Sequence, residues 1–189
     1  MTPLRLPYEA EPITTERMRL RPLRMSDAAD HAVYQGDAET VRYLPWPLRD
    51  AEQSRAHLVK RSRAVRLEHD HDVVVLAMVP RDGAFADRVI GDLTLILADP
   101  ANATVEIGWV LRADARGAGY AAEGARALLE LAFDRLGAHR VVAQLDARNT
   151  ASAALCERLG MTLEAHFVHD QWFKGEWTDS LHYALRATL

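Results

Sequence analysis

The sequence predicts an α+β domain built on one mixed sheet. A two-residue apolar period recurs in the runs up to Leu111, helical spacing takes over from Tyr120, and aromatic and polar residues alternate from Leu163 to Leu185. Strands first, then strand-helix-strand-helix and a closing strand pair, place helices against a single sheet rather than in alternation through it.

The length of 189 residues suits one domain with a full core, and 49% hydrophobic with 26% charged residues excludes an intrinsically disordered chain. One cysteine excludes an intramolecular disulfide framework and a cysteine-based zinc ribbon. A net charge of -4 leaves no electrostatic footprint for nucleic acid. The local basic run Lys60, Arg61, Arg63 and Arg66 reads as a solvated helix face. No run is long enough to span a bilayer, and Met1-Thr2-Pro3-Leu4-Arg5 has neither the basic nor the apolar region of a secretory signal. The cytoplasm is the expected compartment. The eight histidines include no pair at metal-ligand spacing on one helix, so no metal is expected.

Each element follows from local chemistry. Met18 to Leu23 alternates as a strand. Ser26 is placed to cap a short helix ending near Gly36, with Asp27 in its first turn. Two prolines make Tyr43-Leu44-Pro45-Trp46-Pro47 a stiff loop, because each removes a donor and extends its predecessor. Asp50 and Gln53 form a capping pair for a helix running to about Leu67, with Leu58 and Val65 on one face. Val73 to Val79 and Val89 to Leu97 are strands joined through Asp82-Gly83. Thr104 to Leu111 is a strand with Val105, Ile107 and Trp109 on one face and Glu106 and Gly108 on the other.

From Tyr120, Ala121, Ala125, Leu128, Leu129, Ala132, Phe133 and Leu136 mark an amphipathic helix that Gly137 ends. Arg140 to Asp146 is a strand, and Asn149 caps a helix through Leu159 that Gly160 closes. The tail is a strand pair.

The turn Arg116-Gly117-Ala118-Gly119-Tyr120-Ala121, between a strand and a helix, aims unpaired backbone N-H groups and the positive end of a helix dipole at one spot. Such a spot binds phosphate, glycine lets the backbone approach, and Arg116 adds a charge-assisted bond. The same residues through Ala122 fit the loose dinucleotide pattern, with Asp146 as the ribose acid, although that fingerprint normally opens a run of strand-helix units. A turn that only lets helix and strand pack is the third reading.

Four blocks in order decide between them. Arg116 to Ala121 resembles the acyl-CoA pyrophosphate signature of the GNAT superfamily of N-acyltransferases, and Asn149-Thr150-Ala151-Ser152 with Cys156-Glu157-Arg158-Leu159-Gly160-Met161 resembles its second CoA motif. Thr15 to Leu23, and Gly175 to Ser180 with Tyr183, are similar to the RimJ/RimL-like branch. The resemblance implies a mostly antiparallel central sheet, flanked by helices, with two splayed parallel strands forming the acyl-CoA site. Trp109, Val110 and Leu111 would then contact the pantetheine arm through the backbone. Arg116, Gly117, Ala118, Gly119, Tyr120 and Ala121 would hold the pyrophosphate, Asn149 the pantetheine amide, and Ser152 would lie beside the cofactor.

Acetyl transfer to an amine needs a neutral nucleophile, so a general base is expected. Glu106, on the strand that ends at the turn, is the preferred base and Asp146 the weaker candidate; the backbone N-H of Val110 or Leu111 is the expected oxyanion donor. Where many of the superfamily carry a tyrosine acid, this chain has Cys156; Ser152 or water can also supply the proton. Tyr43 and Trp46, with Trp172, Lys174 and Trp177, are expected to wall an acceptor cleft, core packing or a homodimer contact being their alternative use. The expected reaction passes acetyl from acetyl-CoA directly to a primary amine, first of all a protein or peptide N-terminus. Antibiotic or polyamine amines, and a silent acyl-CoA-binding module, are the alternatives.

Overall fold

The computed structural model describes residues 3–187; Met1 and Thr2, part of the stretch read for a leader, lie outside them. Two short strands, β1 (Tyr8–Glu9) and β2 (Ile13–Thr14), precede β3 (Met18–Pro22). Helices α1 (Ala28–Gln35), α2 (Ala38–Val41) and α3 (Ala51–Ser62) follow, then β4 (Arg66–Leu67), β5 (Val73–Pro80), β6 (Gly91–Asp99) and β7 (Thr104–Leu111). Helix α4 (Tyr120–Glu130) continues into a π turn over Leu131–Arg135. Strand β8 (Arg140–Asp146), helix α5 (Thr150–Arg158) and the hairpin β9 (Thr162–Phe173) and β10 (Glu176–Arg186) complete the chain. Among the described residues no helix is long and apolar enough to cross a membrane.

The main sheet has the order β2-β3-β5-β6-β7-β8-β10-β9, and every neighbouring pair is antiparallel except β7 with β8. The α+β architecture on one mixed sheet is as expected. On one face, Leu20, Met78, Leu93 and Ile107 pack with Ala125 and Leu128 of α4 and with Leu155 of α5. On the other, Val75, Ala77, Val79 and Val110 pack with Tyr34 of α1 and Leu58 of α3. Helices on both sides bury the apolar faces of the central strands, while the outer hairpin strand β9 stays largely exposed.

Two local expectations need correction, and one short helix was not expected. Ser26 lies in a 3₁₀ turn and does not cap α1; the Asp27 carboxylate reaches back to accept the Arg24 N-H at 2.7 Å. The Asp50-Gln53 capping box is present, but α3 stops at Ser62. The chain turns there because Leu67 is needed in a two-strand ladder against Tyr8, and Val65 bridges to Val74 instead of lying on the helix. The single turn α2 escaped the periodicity, being too short to show one; Asp37 caps it, accepting the Thr40 N-H at 2.8 Å.

The basic run is not simply solvated. Arg61 enters the second core, where it pairs with Asp92 and donates to Thr94 Oγ1 at 2.9 Å, while Arg66 lies in β4 and pairs with Glu9 and Glu68. Asp92 is fully buried and also accepts the Tyr34 hydroxyl at 2.8 Å. Trp46, partly buried, packs against this core, 5.3 Å from the His57 ring and under the Arg49 guanidinium.

Candidate active site

Strands β7 and β8 pair only through Thr104-Arg140, Val105-Val141 and Glu106-Val142. Beyond Glu106 they diverge, β7 staying with β6 to Leu111 and β8 staying with β10 to Asp146. The Arg112 N-H bonds Ile90 O at 2.9 Å, so the two-residue period turns Val110 toward β6 and leaves the backbone groups of Trp109 and Leu111 facing the fork. Of the two expected oxyanion donors, only the Leu111 N-H faces it. Gly91 makes the close strand approach feasible: a Cβ there would fall 2.0 Å from the Val110 carbonyl oxygen.

At the mouth of the fork, Gly119 takes φ 85° and starts α4. The first intrahelical bond runs from Glu123 N to Gly119 O at 3.0 Å, which leaves the amides of Tyr120, Ala121 and Ala122 without a helical acceptor. The turn is clamped from outside. Arg17 donates to Ala118 O at 2.8 Å and to Glu123 Oε2 at 2.7 Å, and its guanidinium lies 4.9 Å from the Tyr120 ring. A Cβ on Gly119 would meet Arg17 Nη2 at 3.2 Å, so a substitution there acts through backbone strain and this clamp. Arg116 donates to Thr40 Oγ1 at 2.9 Å, tying the turn to α2.

These elements surround a cavity of about 530 Å³. Of the expected site residues, Trp109, Val110, Leu111, Arg116, Gly117, Gly119, Tyr120, Ala121, Asn149 and Ser152 line it. Ala118 does not, its carbonyl being turned to Arg17. Asn149 Oδ1 accepts the Ser152 N-H at 3.1 Å and caps α5, which fixes both side chains at the cavity; Ser152 Oγ in turn accepts the Trp109 indole N-H at 3.2 Å. Glu39, Thr40, Tyr43 and Arg158 also line it. Tyr43 was expected as an acceptor wall and Arg158 lies within the quoted CoA motif, whereas Glu39 and Thr40, on the short helix α2, carried no sequence signal.

Glu106 stands at the last paired position of the fork, outside the cavity lining, and accepts the Gln144 amide at 3.3 Å. Burial raises its pKa above the ordinary carboxylate range. Asp146 is different. Burial pushes its carboxyl up, but Arg148 bonds at 2.9 and 2.7 Å outweigh that and hold it ionised, which makes it a poor proton acceptor.

Cys156 is fully buried in the core with Leu155 and Leu159, and burial pushes its thiol up to about 12. It does not line the cavity: the α5 residues that do are Ala151, Ser152, Leu155 and Arg158, and Cys156 is turned away from them into the core. The acceptor wall is also smaller than expected. Tyr43 lines the cavity, Trp46 packs against the second core, and Trp172 and Trp177 form an edge-to-face pair on the outer hairpin, 63% and 57% exposed. Lys174 holds the end of α2 through Val41 O at 2.6 Å.

A mixed sheet forked between two parallel strands, with free helix N-terminal amides at its mouth, is the arrangement expected of an acyl-CoA-dependent acyltransferase. The family model described as the acetyltransferase (GNAT) domain matches residues 17–162, so the chain belongs to the GNAT acetyltransferase family. It is similar to the uncharacterized N-acetyltransferase YnaD of Bacillus subtilis, 28% identical over 92% of this chain and 95% of that protein. The fold is shared with a GNAT acetyltransferase from Bacillus anthracis, at TM-score 0.81 and 24% identity, covering 93% of this chain and 98% of the other. It is also shared with RimL, a ribosomal L7/L12 alpha-N-protein acetyltransferase solved with coenzyme A, at TM-score 0.76 and 22% identity over 93% and 98%.

Proposed function

We propose that the enzyme transfers acetyl from acetyl-CoA to a primary amine by direct attack, with a protein or peptide N-terminus as the first acceptor. The observation that carries this reading is one cavity shared by the helix N-terminus at Tyr120, the fork-facing edge of β7 and the capped end of α5. The free amides of Tyr120 to Ala122 and the Arg116 guanidinium suit a diphosphate. The fork-facing backbone groups of Trp109 and Leu111, with the Asn149 amide, suit the amides of an extended pantetheine arm.

In this scheme Glu106 takes the ammonium proton, directly or through water. The neutral amine nitrogen then bonds to the thioester carbonyl carbon, and the Leu111 N-H stabilises the oxyanion. Collapse breaks the carbon-sulfur bond as the nitrogen loses its second proton, which passes to the departing thiolate through the Ser152 hydroxyl or water. Cys156 takes no part. The proposed homodimer contact is the exposed Trp172-Trp177 face.

The test is thiol release from acetyl-CoA with a panel of peptides, polyamines and aminoglycosides. Turnover on peptides with a free N-terminus, lost when that amine is blocked, supports the reading. Turnover confined to small amines overturns the acceptor assignment, and binding of acetyl-CoA without turnover across the panel overturns the transfer chemistry.

A further inference from the structure

The sheet face that carries the second core ends at β3 in a group of arginines. The two-residue period sends Arg19 and Arg21 to the side of their β5 partners Val79 and Ala77, while Met18 and Leu20 enter the opposite core. Arg21 is nine-tenths buried and forms two parallel bonds of 2.8 Å to Asp27, a neutral pair at the floor. Around it Arg19, Arg24 and Arg81, with Val79, Pro80 and Asp87, line a cavity of about 360 Å³.

The three outer guanidinium groups are uncommitted. Among the described residues, Arg24 bonds only through its backbone, donating its N-H to the Asp27 carboxylate and accepting the Asp27 N-H on its carbonyl, Arg81 only through its backbone N-H to Arg17 O at 2.9 Å, and the Arg19 side chain has no partner. Asp87 is the single facing carboxylate, held on a tight turn at φ 59° by its own N-H to Pro80 O. Three cations against one anion leave an excess of two positive charges in a concavity of a chain whose net charge is -4. Gathering like charges costs free energy that a bound dianion reverses. Planar guanidinium forks match phosphate oxygens pairwise, and a lining that is mainly charged disfavours a hydrophobic ligand.

We propose that this cavity is a binding site for a phosphomonoester dianion. It shares no lining residue with the acyl-CoA cavity. One residue connects the two: Arg17 receives the Arg81 N-H on its carbonyl and donates its guanidinium to Ala118 O in the glycine turn. The phosphomonoester therefore has two possible sources, a free phosphorylated metabolite or the 3′-phosphate of the coenzyme itself.

The experiment titrates inorganic phosphate, by calorimetry, into enzyme saturated with dephospho-CoA, which fills the acyl-CoA cavity and brings no 3′-phosphate. The wild type binds phosphate, and Arg19→Ala with Arg81→Ala weakens it by about tenfold or more with dephospho-CoA affinity unchanged. Arg19→Gln and Arg81→Gln, each alone, give smaller losses in the same direction and serve if the double variant folds poorly. If the coenzyme is the source, the wild type binds CoA more tightly than dephospho-CoA and the double variant abolishes the difference; if a metabolite is, the two coenzymes bind alike. Phosphate that fails to bind the wild type overturns the proposal. So does equal binding by the double variant, or an equal loss on removing the exposed Arg55 and Arg126 elsewhere on the surface.

Discussion

Replacing Glu106 with glutamine tests the transfer chemistry most directly, since it removes the proposed proton acceptor at the fork and keeps the shape that meets Gln144. A terminal α-amine with a pKa of about 8 is about one-tenth neutral at pH 7, whereas a lysine with a pKa of about 10.4 is neutral in only about 0.04% of molecules. A positioned base contributes about 10² to 10⁴ in rate, so E106Q loses that much in kcat at pH 7 while its affinity for acetyl-CoA stays constant.

The loss narrows as pH rises, because the amine then deprotonates without help. The pH at which the variant's rate levels off reads the acceptor class: near 8 for an N-terminus, above about 10 for a lysine or polyamine. The wild type has an acid limb of opposite origin. Glu106 accepts a proton only when ionised, and burial raises its pKa, so activity falls as pH drops through a value above the ordinary carboxylate range. The assay is thiol release under acetyl-CoA saturation from pH 5 to 10.5. E106Q activity within about threefold of wild type, with the same pH profile, refutes the base assignment and leaves the proton to water.

If Arg116 holds the diphosphate as proposed, Arg116→Ala weakens acetyl-CoA binding by about 10- to 100-fold, the loss of one charge-assisted bond, and calorimetry reads it. Cys156→Ala leaves kcat within about twofold, since a core thiol with a pKa of about 12 is outside the cavity; the native enzyme also resists thiol alkylation until it is unfolded. Tyr34→Phe leaves Asp92 short of a donor and costs about 1.5–3 kcal/mol in urea unfolding, with acetyl-CoA affinity little changed. His31 and His57 are held neutral by burial, each at about 4 against an unfolded value near 6.5. Between those values the unfolded chain binds more protons than the folded one. Stability is therefore full above about pH 6.5 and falls toward pH 4, and His57→Asn flattens that slope in urea midpoints across the range.

Much of the fold was legible because its signals are local. Strand alternation at Thr104 to Leu111, the Asp50-Gln53 box and Asn149 with Gly160 each depend on spacing along the chain, and each falls where its element begins or ends. The glycine turn was legible for the same reason: strand, small residues and helix are contiguous, and their order alone aims the amides at one place. The end of α3 was not, because Ser62 stops the helix for the sake of a ladder to Tyr8, which lies more than fifty residues earlier.

The sequence by itself determined the order of elements, the glycine turn that opens α4 and the family resemblance, all properties of neighbours along the chain. Tertiary structure decided which polar side chains are buried and what they face. Arg61 looked like surface charge and became the partner of Asp92; Trp46 looked like a cleft wall and packs against the second core instead. Cys156 took the place of a catalytic acid in the motif and lies instead inside the packed face of α5. Burial depends on what folds over a residue, and no spacing rule carries that information.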